Sequence, residues 1–147
     1  MKALTLTQPW ATLVAIGVKT IETRSWATTY RGSLAIHAAK GFPKAYRDLC
    51  SEDPFAEVLT LAGIKSPTDL PLGVVVATCN LHGCVQMGTD AAPCTADLMQ
   101  WLKRPMYPEA VFGDYAARRW AWVLDNVVPL KMPRAAKGAL GLWEWEP

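Results

Sequence analysis

The run from Leu72 to Met87 constrains the fold more than any other stretch of the chain. It is rich in valine, and β-branched side chains suit a pleated, half-buried surface better than a helix. It is long enough for two strands, or for one bent strand broken at Gly83, where the missing side chain weakens a regular ladder. The chain must therefore be built around a sheet.

The other segments join that sheet irregularly. Ala3 to Thr7 reads as a short first strand, and Gln8-Pro9-Trp10 opens a helix in which Pro9 suits a first helical position, having no N–H to leave unpaired. Trp10, Leu13, Val14 and Gly17 keep helical spacing, and Gly17 is a natural stop because glycine tolerates positive φ. Val18 to Trp26 mixes β-branched residues with charges, Tyr30-Arg31-Gly32 is a turn, and Gly32 to Ala38 alternates as a strand does. Pro43 to about Ala62 reads as helix broken near Pro54, with Asp48, Glu52, Asp53 and Glu57 facing water; Gly63 ends it and Lys65 to Pro71 connects. Gly88 to Pro93 reads as loop, Thr95 to Lys103 as a helix capped by Thr95, and Arg104 to Pro108 as irregular. Arg119 to Val128 gives another strand, ended by Pro129 to Arg134, and Ala139 to Trp145 gives the last. Strands interrupted by helices without successive βαβ units argue against a doubly wound sheet and for a small mixed α+β barrel with helices at its mouth. Such a barrel offers a concave site at one end.

With 147 residues, 51% of them hydrophobic and 19% charged, the expectation is one domain over 1–147 with ample core. No stretch approaches the roughly 20 apolar residues of a membrane span. The opening Met1-Lys2-Ala3-Leu4-Thr5 carries no secretory pattern, and Cys50, Cys79, Cys84 and Cys94 fit a reduced, cytoplasmic protein. Charge is divided along the chain: net +6 for 1–47, −6 for 48–99 and +2 for 100–147. A basic opening third raises the prospect of an anionic partner. Cys79, His82, Cys84 and Cys94 carry no expectation of a metal, because strand-like sequence turns Cys79 and His82 to opposite faces. No dinucleotide, phosphate-loop or zinc-protease signature appears, so no cofactor is expected.

The densest polar cluster runs from Gly17 to Trp26. If Ile21 to Arg24 is extended, Glu22 and Arg24 share a face about 6.6 Å apart, with Ile21 and Thr23 on the other. Lys19 precedes them at the loop. One acid, two cations and an indole can converge there on an anionic or heteroaromatic ligand: arginine forks onto phosphate or a base edge, lysine adds a point charge, and tryptophan stacks. Glu22 would accept from an exocyclic amine or hold Arg24 in place.

Gly17-x-Lys19-x-x-Glu22-x-Arg24 resembles the GxKxxExR signature of the ASCH domain, a branch of the PUA-like superfamily, at every specified position. Leu4 to Trp10, Tyr30-Arg31-Gly32 with Ile36-His37-Ala38, Leu72 to Val75, Trp120 to Leu124 and Lys137 to Trp143 resemble the family in the same order, so the likeness spans nearly the whole chain. It implies a PUA-like mixed β-barrel with a cleft beside the first helix, into which the signature points, and RNA or nucleoside ligands. Some relatives are amidohydrolases on acetylated cytidine and others ribonucleases. In the amidohydrolase branch the signature carries a catalytic lysine, matched by Lys19, while the nucleophilic threonine falls where this chain has Glu22. A carboxylate does not replace a hydroxyl nucleophile in amide cleavage. An enzyme here would need Glu22 as general base for water with Lys19 stabilising the oxyanion.

The resulting expectation is RNA or modified-nucleoside binding, with Lys19, Glu22 and Arg24 innermost and Gln8, Trp10, Trp26, Tyr30 and Arg31 in support. Hydrolysis in the same cleft, with Lys19 and Glu22 as its catalytic pair, is the alternative. A third reading is an adaptor that binds protein through its tryptophan-rich surface.

Overall fold

The computed structural model describes residues 1–87 and 108–147. The elements run β1 (Lys2–Leu6), α1 (Trp10–Ala15), β2 (Ile21–Arg24), β3 (Gly32–Ala38), α2 (Lys44–Leu49), α3 (Phe55–Leu61), β4 (Val74–Gln86), β5 (Trp120–Ala135) and β6 (Leu142–Glu144), with 3-10 turns at Pro67–Asp69 and Glu109–Val111. The strands form one sheet in the order β2-β5-β4-β3-β1-β6. β1 and β3 are parallel and every other pair is antiparallel. The sheet curls into a half-barrel carrying the helices, an α+β architecture. Arg24 ties the β2 side of the curl to β1, donating from Nη2 to the Thr5 carbonyl oxygen at 2.9 Å.

α1 has only six residues, too few to be stable alone, and it is held by burial on two sides. Ala11, Val14 and Ala15 pack onto the strand core with Leu4, Ile36 and Trp122. Leu13 enters a second cluster with Phe55, Leu59, Leu70 and Phe112. Gly17 ends the helix with a φ of +76°, and Val18 and Lys19 both donate their N–H to the Leu13 carbonyl oxygen. That left-handed residue turns the chain out of α1 and into β2.

The break expected near Pro54 is present: the stretch over 43–62 forms two helices, α2 and α3, with Pro54 at the start of the second. β4 is one strand through Gly83, with its ladder shifting register between Leu81 and Gly83. β5 does not end at Val128 but continues to Ala135, with Pro129 opposite Ala77. β2 pairs only with Trp120–Val123, so among the described residues the far half of β5 is paired with β4 on one side alone, the edge position in which strands accommodate proline. β6 is shorter than expected because Gly138 to Gly141 leaves the sheet. The loop, helix and irregular stretch expected over 88–107, and Cys94, lie outside the described residues.

Candidate nucleoside cleft

The Gly17 turn delivers Lys19 to the interior. Its side chain is 1% exposed, and its ammonium donates to the Ile21 carbonyl oxygen while standing 3.5 Å from Glu22 Oε2 and 3.9 Å from Glu109 Oε1. Glu22 Oε1 lies 3.4 Å from Arg24 Nε, an ion pair without hydrogen-bond geometry. Charges therefore alternate from Glu109 through Lys19 and Glu22 to Arg24, which ends on Thr5. A buried ammonium costs several kcal/mol unless it is paired, and here two carboxylates and a carbonyl surround it.

Glu109 is the residue that sequence reasoning missed. It sits in the 3-10 turn at Glu109–Val111 and holds the loop entering β2. Its Oε2 accepts from the Thr20 N–H at 2.8 Å and the Thr20 hydroxyl at 3.1 Å, and its Oε1 accepts from the Ile21 N–H at 3.2 Å and the Tyr115 hydroxyl at 3.3 Å. Burial, then the neighbouring Glu109 charge, pushes the Tyr115 phenol well above its usual range, so it stays a donor. The lone acid of Pro108-Glu109-Ala110-Val111 has no periodicity or spacing that ties it to Thr20, 89 positions away.

Glu22 and Arg24 open on a cleft of about 610 Å³, with Trp10, Tyr46 and Phe112 among its walls. This is within the usual range for small-molecule sites. Trp10 is held in place: its indole N–H donates to the Phe112 carbonyl oxygen at 2.7 Å, and Tyr46 meets its ring edge-on at 4.8 Å. Among the described residues the charged lining comprises Glu22, Glu52, Asp53 and Asp114 against Arg24 and Arg119. Glu52 and Asp53 of the middle third thus share this cleft with Arg24 of the first. Lys19 lies behind this wall, with no face on the cleft.

The remaining sequence-predicted residues lie elsewhere. Gln8 is fully buried, donating from Nε2 to the Pro71 carbonyl oxygen at 2.8 Å and accepting from the Thr12 N–H at 3.1 Å, so it anchors the start of α1. Trp26 meets Trp122 edge-to-face at 4.6 Å, and the Tyr30 hydroxyl donates to the Ser33 carbonyl oxygen at 2.6 Å. Arg31 is exposed and donates to the carbonyl oxygens of Thr28 and Tyr30. None of these four lines the cleft among the described residues. His37 is buried between the Thr5 hydroxyl, 3.2 Å from Nδ1, and the Ala136 carbonyl oxygen, 3.0 Å from Nε2. Burial lowers its pKa, and the Ala136 hydrogen bond opposes that in part. Burial pushes the Cys79 thiol up to about 12. No helix among the described residues is long and apolar enough to cross a membrane.

A family model described as ASCH domain matches residues 4–133. Among curated proteins, activating signal cointegrator 1 from Mus musculus is 33% identical over 82 residues, 56% of this chain, and its Homo sapiens counterpart is 32% identical over 82 residues. The matched stretch is only 14% of either relative's length. Among solved structures, ASCH from Zymomonas mobilis aligns over 99% of this chain and 87% of its own, with a TM-score of 0.54 and 12% identity. A point variant of the same protein gives 0.56 and 15%, covering 99% of this chain and 89% of its own. At that identity the likeness is one of fold.

Proposed function

Because the chain belongs to the ASCH domain family, we propose that its cleft binds a nucleobase, presented as a modified nucleoside or as one residue of an RNA strand. The observation that carries this reading is Glu22 and Arg24 side by side on one wall of a cleft that also holds the fixed indole of Trp10. An exocyclic amine would donate to Glu22, a ring nitrogen or carbonyl oxygen would accept from Arg24, and the flat ring would lie against Trp10. Lys19, together with Glu109, positions Glu22 from behind.

Binding is favoured over hydrolysis on geometric grounds. An oxyanion-stabilising lysine must bring an N–H within about 3 Å of the reacting oxygen, whereas the Lys19 ammonium is covered and already directed at Ile21, Glu22 and Glu109. The test is a thermal-shift screen of nucleosides, acetylated and methylated cytidines included, with product analysis of every hit. The expected result is a rise in melting temperature for at least one nucleoside, lost in Glu22→Gln and Arg24→Gln, and recovery of the ligand intact. No hit across the screen, or equal protection of both variants, would contradict the reading. Acetate release abolished in Lys19→Met would move the assignment to the hydrolase.

A further inference from the structure

The charge lining the cleft poses a problem for any nucleic-acid ligand. Among the described residues four carboxylates stand against two guanidiniums, a lining inhospitable to phosphates, so a strand that places a base there would carry its backbone elsewhere.

A second hollow, of about 950 Å³, lies next to the cleft. Thr5 is the wall between them: its carbonyl oxygen accepts from Arg24 on the cleft side, and its hydroxyl meets His37 Nδ1 and, at 3.0 Å, the Trp143 indole N–H on the other. The character of the second hollow is the opposite of the first. Its charged lining is Lys40 and Lys137, with no carboxylate among the described residues, and neither ammonium has an ion-pair partner there. The two lysines flank a short backbone link. The stem of Lys40 packs beside Gly73, where an added Cβ would come 3.8 Å from Lys40 Cβ, and Gly73 accepts the Ala136 N–H at 3.1 Å. Leu72 and Leu140, 41% and 99% exposed, supply apolar surface on the same hollow.

We propose that this hollow is the track for the phosphodiester backbone of a single-stranded nucleic acid whose base enters the neighbouring cleft, with Lys40 and Lys137 on the phosphates. The inference rests on the cleft reading above and extends it from a nucleoside to a strand. Charge complementarity selects a polyanion, and the shared Thr5 wall sets the two hollows side by side. The exposed leucines give flanking bases or riboses an apolar surface. Each lysine acts as a point charge on a phosphate, so its loss weakens binding without changing which base is preferred.

The test is fluorescence anisotropy of a labelled single-stranded RNA at several salt concentrations, with the thermal shift of the free nucleoside measured in parallel, on wild type and on Lys40→Gln/Lys137→Gln. Both residues are exposed and neither is in the core, so the double variant should fold. The expected result is a several-fold loss of RNA affinity, a log–log salt slope shallower by about 1.4 for two lost phosphate contacts, and an unchanged nucleoside shift. RNA affinity and slope equal to wild type in the double variant, with nucleoside binding intact, would overturn the track and leave the cleft standing. Tight nucleoside binding with no RNA binding in wild type would do the same. No nucleoside binding in wild type would instead defeat the cleft reading, and this inference with it. An acidic peptide that competes for the lysines while RNA does not would also overturn it.

Discussion

Lys19 exists as a buried ammonium because Glu22 and Glu109 stand on either side of it, and removing it leaves two carboxylates partly uncompensated. Lys19→Met should therefore lower the unfolding free energy by about 3 kcal/mol, the low end for breaking a buried pair, because Glu22 keeps Arg24 and Glu109 keeps its four donors. Urea denaturation reads this directly, and a loss under about 1 kcal/mol would mean the alternating charges do not hold the β2 entrance. His37 makes a separate, pH-dependent contribution. Its folded pKa lies below the unfolded value of 6.5, so between the two the unfolded chain binds more protons. Stability is then full above about pH 6.5 and falls as pH drops through that window, and a pH series of melting temperatures should show a slope that flattens in His37→Gln. The parity of Glu22 and Arg24 was legible from sequence because period two is a local rule. Glu109 was not, since its link to Thr20 and Lys19 exists only after the chain folds back.

Between β5 and β6, Gly138 has the closest neighbours of any described glycine. An added Cβ there would lie 2.6 Å from His37 Cε1 and 2.8 Å from Thr5 Oγ1, so this backbone rests directly on the wall between the two hollows. Gly138→Ala should cost about 1–3 kcal/mol by overpacking, whereas Gly41→Ala, with nothing within 4 Å and no positive φ, should stay within about 0.5 kcal/mol. Thermal melts of the pair check this, and equal stability would show that the segment lifts off freely. The strands could be read from valine content and alternation, and Gly17 from its place after the last apolar turn. The far half of β5 could not. Pro129 and Pro133 are strand breakers unless the strand is known to be an edge, and edge status depends on where β2 stops, which is set by the sheet order.

At the scale of the whole molecule, charge segregated along the sequence is redistributed by the fold. Glu52 and Asp53, from the acidic middle, line the cleft beside Arg24 from the basic opening third, while Lys40 and Lys137, nearly a hundred positions apart, come to one neighbouring hollow. Net charge per segment pointed to an anionic partner without saying where it would lie. The ordered set of family-like motifs pointed to a mixed β-barrel with a cleft beside the first helix; the sheet is a curled half-barrel, and Trp10 of α1 lines a cleft. Trp26 and Tyr30, expected beside Trp10, pack on the strand core instead, while Trp10 packs with the second cluster and alone of the three lines the cleft among the described residues.

In the proposed function a nucleobase sits between Trp10, Glu22 and Arg24. The most direct measurement is an NMR titration of the protein with the nucleoside that protects it best, following the Trp10 indole N–H and the Arg24 side chain, with the indole N–H groups of Trp122 and Trp143 as references. Saturable shifts are expected at Trp10 and Arg24, with the other two indoles nearly still. Saturable shifts confined to residues outside the cleft, with Trp10 and Arg24 unmoved, would contradict it.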